Sequence, residues 1–212
     1  MYRIGQGLGE IRKIFIYCLL IFIIIGLIST FYFNDKEELV AEIISSFLEE
    51  KADIFIEDGP SLGLDGNFEE NSFEISVKGL FLNNLKASVI SNLLGIIPFI
   101  FLPALVLIVN AGLIGTVFAM GGMGIGLSNP ELLIGGILPH GIFEIPALLI
   151  SISMGLYLSS QVSKKLLRRD HQPIFKLLTR QLFITLFIVV PLLLLAAFIE
   201  ARITPMILFK LL

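Results

Sequence analysis

Two residues four apart, His140 and Glu144, stand in the stretch Leu138-Pro139-His140-Gly141-Ile142-Phe143-Glu144-Ile145-Pro146. On a helix that spacing places both side chains on one face. Imidazole and carboxylate together can relay a proton or hold a cation. Pro139 and Gly141 are expected to split the helix just ahead of Glu144, leaving backbone groups unpaired and a helix N-terminus to stabilise the carboxylate. A simpler role is open beside it: a His–Glu pair that fixes helix packing. Glu200, in Phe198-Ile199-Glu200-Ala201-Arg202, is either a snorkelling interfacial residue or a second carboxylate facing the His140 side. Asn110, in Asn110-Ala111-Gly112-Leu113-Ile114-Gly115, is expected to cap a helix, with Gly112 and Gly115 allowing close helix contact.

Other chemistry is poorly supported. His140 and His171 are the two histidines, and no HExxH occurs. The sequence therefore gives no metal-ligand set, no catalytic residue and no cofactor, and the expectation is a protein that is not an enzyme. Gly121–Gly126 is glycine-rich, yet no strand precedes it and no lysine follows, so it is not a phosphate loop. Cys18 is the single cysteine and lies in an apolar run, where it behaves as a small apolar residue.

These polar residues stand out because their surroundings are apolar. The chain is 56% hydrophobic and only 16% charged, with a mean hydropathy of +0.92. Soluble domains carry roughly 25% charge. From Ala87 to Pro130 there are 44 residues without Asp, Glu, Lys or Arg. A helix needs roughly 20 apolar residues to cross the hydrocarbon layer, and in lipid its backbone must satisfy itself. The fold class is therefore all-α: a single polytopic membrane domain with about five spans, some broken or re-entrant. The spans read as 14–33, 85–109, 113–127, 141–162 and 181–200. The chain turns at Asn110-Ala111-Gly112, and Pro130–Leu138 is a short separate piece. The first span reads as uncleaved, since no small-residue cleavage site follows it.

Residues 35–80 carry thirteen acidic side chains and three lysines, a net charge of −10. Leu39, Val40, Ile43, Ile44, Phe47 and Leu48 recur at helical spacing, so Lys36–Phe55 reads as an amphipathic helix. Asp58-Gly59-Pro60 and Gly63–Asn67 read as turns, and Ser72–Leu82 as a short strand or a helix start. The loop 163–180 has a net charge of +5. The positive-inside rule puts the N-terminus and this loop in the cytoplasm and residues 34–84 outside the cell membrane. The basic loop suits anionic lipid; nothing points to nucleic acid.

Four segments carry a family resemblance. They are Phe81-Leu82-Asn83-Asn84, Asn110–Gly115, Leu138–Glu144 and Ala197–Pro205. In this order, over about residues 80–205, the chain resembles the stage II sporulation protein M family, in the branch that bears PHGxxE. Asn-Ala-Gly stands where the family pattern has Asn-Gly. The resemblance implies a small polytopic membrane protein without catalytic activity. The sporulation member belongs to a complex that remodels peptidoglycan, with a lytic transglycosylase and an amidase. By that likeness the first expectation is a membrane scaffold that anchors other membrane or cell-envelope proteins. The alternative is a small transporter or channel subunit using His140, Glu144 and Glu200. A homodimer through the glycine-rich segment is a further expectation.

Overall fold

The structure is a computed structural model describing residues 2–62, 68–99, 101–121, 128–169 and 172–211. It is an all-α polytopic membrane protein with one small hairpin. Helix α1 is Tyr2–Phe33 and α2 is Glu37–Phe55. Strands β1 (Ile56–Leu62) and β2 (Phe68–Ile75) pair antiparallel. Then come α3 (Val77–Leu94) and α4 (Pro103–Met120). Two helices of 38 residues each follow, α5 (Asn129–Leu166) and α6 (Ile174–Leu211). Helices α1, α4, α5 and α6 are long and apolar enough to cross a bilayer. At 1.5 Å per residue α5 and α6 extend about 57 Å, so each tilts or projects beyond the hydrocarbon layer.

The apolar surface faces outward, as lipid requires. Leu20, Ile24, Ile28 and Phe31 of α1 are exposed, as are Phe183, Phe187, Leu194 and Phe198 of α6. The interior is built instead on small residues and on α5. Cys18 and Phe22 of α1, Leu107 and Ala111 of α4, and Leu148, Leu149 and Ile152 of α5 form one core cluster. Ala147 packs with Val189 and Leu193 of α6. Gly155 lies so close to the Ser91 carbonyl of α3 that a Cβ there would overlap it. Helices without a hydrophobic drive to associate gain from such close backbone approach.

The amphipathic helix lies where expected: α2 buries Val40 and half-buries Ile43 and Ile44. Ser72–Leu82 holds both of its alternatives, since β2 ends at Ile75 and Ser76 caps α3 by accepting from Gly79 N at 2.9 Å. Asp58-Gly59-Pro60, by contrast, lies within β1, at an irregularity between Gly59 and Ser61. Proline cannot donate to the ladder, and the bulge accommodates it. Residues 63–67 lie outside the described residues.

The central turn is misplaced in the sequence reading. Helix α4 runs straight through Asn110-Ala111-Gly112, and the break between α3 and α4 falls at 95–102. The spans 85–109 and 113–127 are thus replaced by α3 and α4. Pro98 disfavours helical geometry at the residue before it, Phe99 and Phe101 take positive φ of 64° and 37°, and Pro103 starts α4. Asn110 caps nothing; its Nδ2 donates to Val106 O at 2.8 Å inside the helix. Residues 122–127, the end of that expected span, lie outside the described residues, and so does His171.

Pro139 and Gly141 do not split the fourth span either. The helix continues through them because Leu132–Ile137 widens into a π-turn, with Leu138 N donating to Leu133 O. Pro130–Leu138 is part of α5 and no separate piece. The same device recurs twice in α6. Thr185–Val189 precedes Pro191, with Val190 N bonded to Thr185 O. Ile199–Ile203 precedes Pro205, with Thr204 N bonded to Ile199 O. Proline lacks an N–H and its ring presses on the carbonyl four residues back. A wider turn ahead of it relieves that contact and keeps the neighbouring N–H groups bonded.

The elements have a common polarity. Ile11 and Ile14 of α1 pack with Tyr157 and Val162 of α5 and Ile174 and Leu177 of α6. At the same end, Ser159 donates to Ile97 O at 2.9 Å and Phe99 N donates to Ser163 Oγ at 3.0 Å. The N-terminal half of α1, the far end of α3 and the C-terminal end of α5 are therefore neighbours.

Two glycines of one motif should respond oppositely to alanine. A Cβ at Gly115 would overlap the Gly26 carbonyl and approach the Ser29 Cβ to 2.6 Å, whereas nothing lies within 4 Å of one at Gly112. Gly115→Ala should cost about 1–3 kcal/mol by overpacking. Gly112→Ala should be neutral or stabilising by up to about 1 kcal/mol. Thermal unfolding in detergent reads both. Side-specific maleimide labelling tests the polarity. Ile96→Cys and Leu167→Cys should react from the same face of the membrane, and Ser45→Cys from the other.

Candidate functional site

The fold gathers four separate stretches of sequence around one cavity of about 580 Å³. Helix α3 contributes Leu80, Asn83 and Asn84, and α4 contributes Asn110, Leu113 and Val117. His140 and Glu144 come from α5, and Glu200 and Thr204 from α6. The donor atoms of His140, Glu144 and Glu200 lie within 4.8 Å of one another. Glu200 is thus no lone snorkelling residue; it faces the His140–Glu144 pair across the α5–α6 interface.

Two π-turns aim these side chains. One ends at Ile137, three residues before His140, and the other contains Glu200. An extra residue in a turn rotates all that follows by about 100° relative to an unbroken helix. Pro139 and Pro205 therefore act on the site through the helix geometry that they impose. Both are half-buried, and Pro205 lines the cavity. Gly141, also in the lining, is buried.

The polar contacts within the cavity are few. His140 Nδ1 lies 3.4 Å from Thr204 Oγ1, which orients the ring and leaves Nε2 for another partner. Asn83 Nδ2 donates to Asn84 Oδ1 at 3.3 Å. Asn110 uses its amide nitrogen on its own helix, which leaves its amide oxygen as an acceptor. No hydrogen bond to either carboxylate joins these contacts among the described residues. The cavity lining holds no lysine or arginine. Two carboxylates so close together repel strongly when both are ionised, the more so away from water. A cation or protons must balance them.

Asn110 enters the site from mid-helix, where the sequence reading placed a cap. Gly112 and Gly115 serve the α1–α4 contact instead. Ser29 Oγ donates to Gly112 O at 2.8 Å and Thr30 Oγ1 to Gly115 O at 3.1 Å. In the sequence Asn83 and Asn84 stand out only through the family pattern, and adjacent positions carry no sign that they share a cavity with His140. A wider cleft, about 850 Å³, lies at Asn34–Glu42. One continuous surface segment lines it and brings no distant residues together.

The family model described as Stage II sporulation protein M matches residues 15–205. The chain belongs to that family. No curated protein and no solved structure matches it.

The approach of α5 to α6 is directly testable. With Cys18→Ala as background, the pair His140→Cys and Thr204→Cys should form a disulfide on mild oxidation, seen as a mobility shift reversed by reductant. A control pair of Ile142→Cys and Thr204→Cys should not, because Ile142 is exposed on another face of the helix.

Proposed function

We propose that this member of the stage II sporulation protein M family is a small transporter or channel subunit that holds a cation in the cavity between α3, α4, α5 and α6. The observation that carries this reading is the convergence of His140, Glu144 and Glu200 to within 4.8 Å. An ionisable residue costs about 2.5–3.5 kcal/mol at the centre of a membrane helix on insertion scales, and less toward its ends. Three such residues brought together are most readily understood as a ligand site. The π-turns support the same reading, because such departures from regular helix geometry are frequent at functional sites. The protein itself has no catalytic role; it binds and passes the ion.

A second reading is favoured by a separate observation. Residues 35–80 carry a net charge of −10 and include α2, whose Glu38 and Glu42 are exposed. In a membrane scaffold this segment would be the contact surface for cell-envelope proteins, with lipid and a second copy of the chain as further partners. In both readings the protein lies in the cell membrane with its N-terminus and residues 163–180 in the cytoplasm and residues 34–84 outside.

Flux separates the two. Reconstituted in liposomes, the protein should dissipate a cation gradient, and Glu144→Gln should reduce that flux at least tenfold without changing protein incorporation. Equal flux from empty liposomes and from both proteins would remove the transport reading. The scaffold reading predicts instead that exchanging residues 37–55 for an uncharged helix abolishes capture of envelope proteins, while Glu144→Gln leaves it intact.

A further inference from the structure

We propose that the cavity is a site for a divalent transition-metal ion of the zinc, manganese or ferrous class. Its ligands are the imidazole of His140 and one carboxylate oxygen each from Glu144 and Glu200. This deepens the cation-site reading above and rests on it.

Three observations converge. The first is the donor set. Imidazole selects transition metals over calcium and magnesium, which prefer six or more oxygen ligands. One histidine with two carboxylates suits zinc, manganese or ferrous iron, and three protein ligands leave a position open. Metal–ligand distances near 2.0–2.2 Å place ligand atoms about 3.3 Å apart, so donors within 4.8 Å reach an ion by small side-chain rotations.

The second is charge. Two carboxylates carry −2 and the lining has neither lysine nor arginine. A divalent ion by itself brings the ionised cluster to zero, whereas a monovalent ion does so only with a proton on one carboxylate, and uncompensated charge at membrane depth is costly.

The third is the surrounding shell. Metal-bound histidines characteristically use their second ring nitrogen on an oxygen that fixes the ring. Thr204 Oγ1 stands at 3.4 Å from Nδ1; with Nδ1 donating to it, Nε2 is the nitrogen open to a metal. Asn110 lines the same cavity and commits only its amide nitrogen to its own helix, leaving its amide oxygen as a further acceptor there. An open coordination position suits an ion that must enter and leave.

The test uses full-length protein in detergent, free of a histidine tag, stripped with EDTA and titrated with Co²⁺ as a spectroscopic stand-in. The expected result is one Co²⁺ per chain, visible d–d absorption bands, and displacement by Zn²⁺. Glu144→Gln and Glu200→Gln should each weaken binding more than about 100-fold. Thr204→Val, which removes no ligand, should weaken it about 10- to 100-fold. Stoichiometry and spectrum are read on the wild-type chain and on one with residues 37–55 exchanged for an uncharged helix, which should keep both; their loss on that exchange would place the ion on the acidic segment and overturn the assignment. Absence of the bands, or Co²⁺ binding unchanged in Glu144→Gln, Glu200→Gln double substitution, would overturn the metal assignment. Sodium, potassium or proton flux that depends on Glu144 but occurs without Co²⁺ binding would sink the metal while leaving the cation reading intact. Co²⁺ binding at this site with no flux of any ion would keep the metal and remove transport.

Discussion

A helix in lipid has no water to satisfy a backbone group it leaves unpaired. That constraint governs what this chain does with three of its helical prolines. In a soluble protein Pro139, Pro191 and Pro205 would each end or kink a helix. Here each follows a π-turn, and the helix continues. The missing N–H is absorbed by a local change of pitch. The consequence is rotational: side chains after each π-turn point elsewhere than an unbroken helix would send them. His140 follows one such turn and Glu200 lies inside another. The site exists because two long helices were re-aimed without being broken.

The other condition is close packing. Helix α5 is the hub, and its buried positions include Ser151, Ser153, Gly155 and Ser159. Small residues let α3 approach at Gly155, and their hydroxyls bond to backbone carbonyls, as Ser151 Oγ does to Ala147 O at 3.1 Å. Gln181 Nε2 reaches from α6 to Met154 O at 2.7 Å. The Ser151 bond lies within α5, while the Gln181 bond ties α6 to α5. The α1–α4 pair is fixed the same way by Gly26, Gly115, Ser29 and Thr30. With α4 and α5 both held, Asn110 and His140 line one cavity.

The chemistry concentrates toward one end of the bundle. His140 stands eleven residues from the start of α5 and Glu200 eleven from the end of α6, about 16 Å along each helix. The acidic segment that includes α2 joins the bundle on the side where α3 begins, and Ile75, the last residue of β2, lines the same cavity. The hairpin and the cavity are therefore adjacent.

The sequence alone determined the membrane class, because runs without charge leave lipid as the only fitting solvent. It also determined the amphipathic α2, through its apolar spacing, and the shared face of His140 and Glu144, through a separation of four. These properties are local: one helix turn or one stretch of composition is enough to express them. The turn between α3 and α4 could not be placed from the residues. Asn110-Ala111-Gly112 has turn-like residues, but α4 satisfies Asn110 internally and spends Gly112 and Gly115 on contact with α1. Nor could the sequence decide whether prolines break a helix or widen it, since that depends on neighbours that keep the helix upright. Only the tertiary structure carried Glu200 across sixty residues to His140 and added Asn83, Asn84 and Asn110 to the same cavity. Helix rotation and helix contact set that convergence, and neither is written in any single segment.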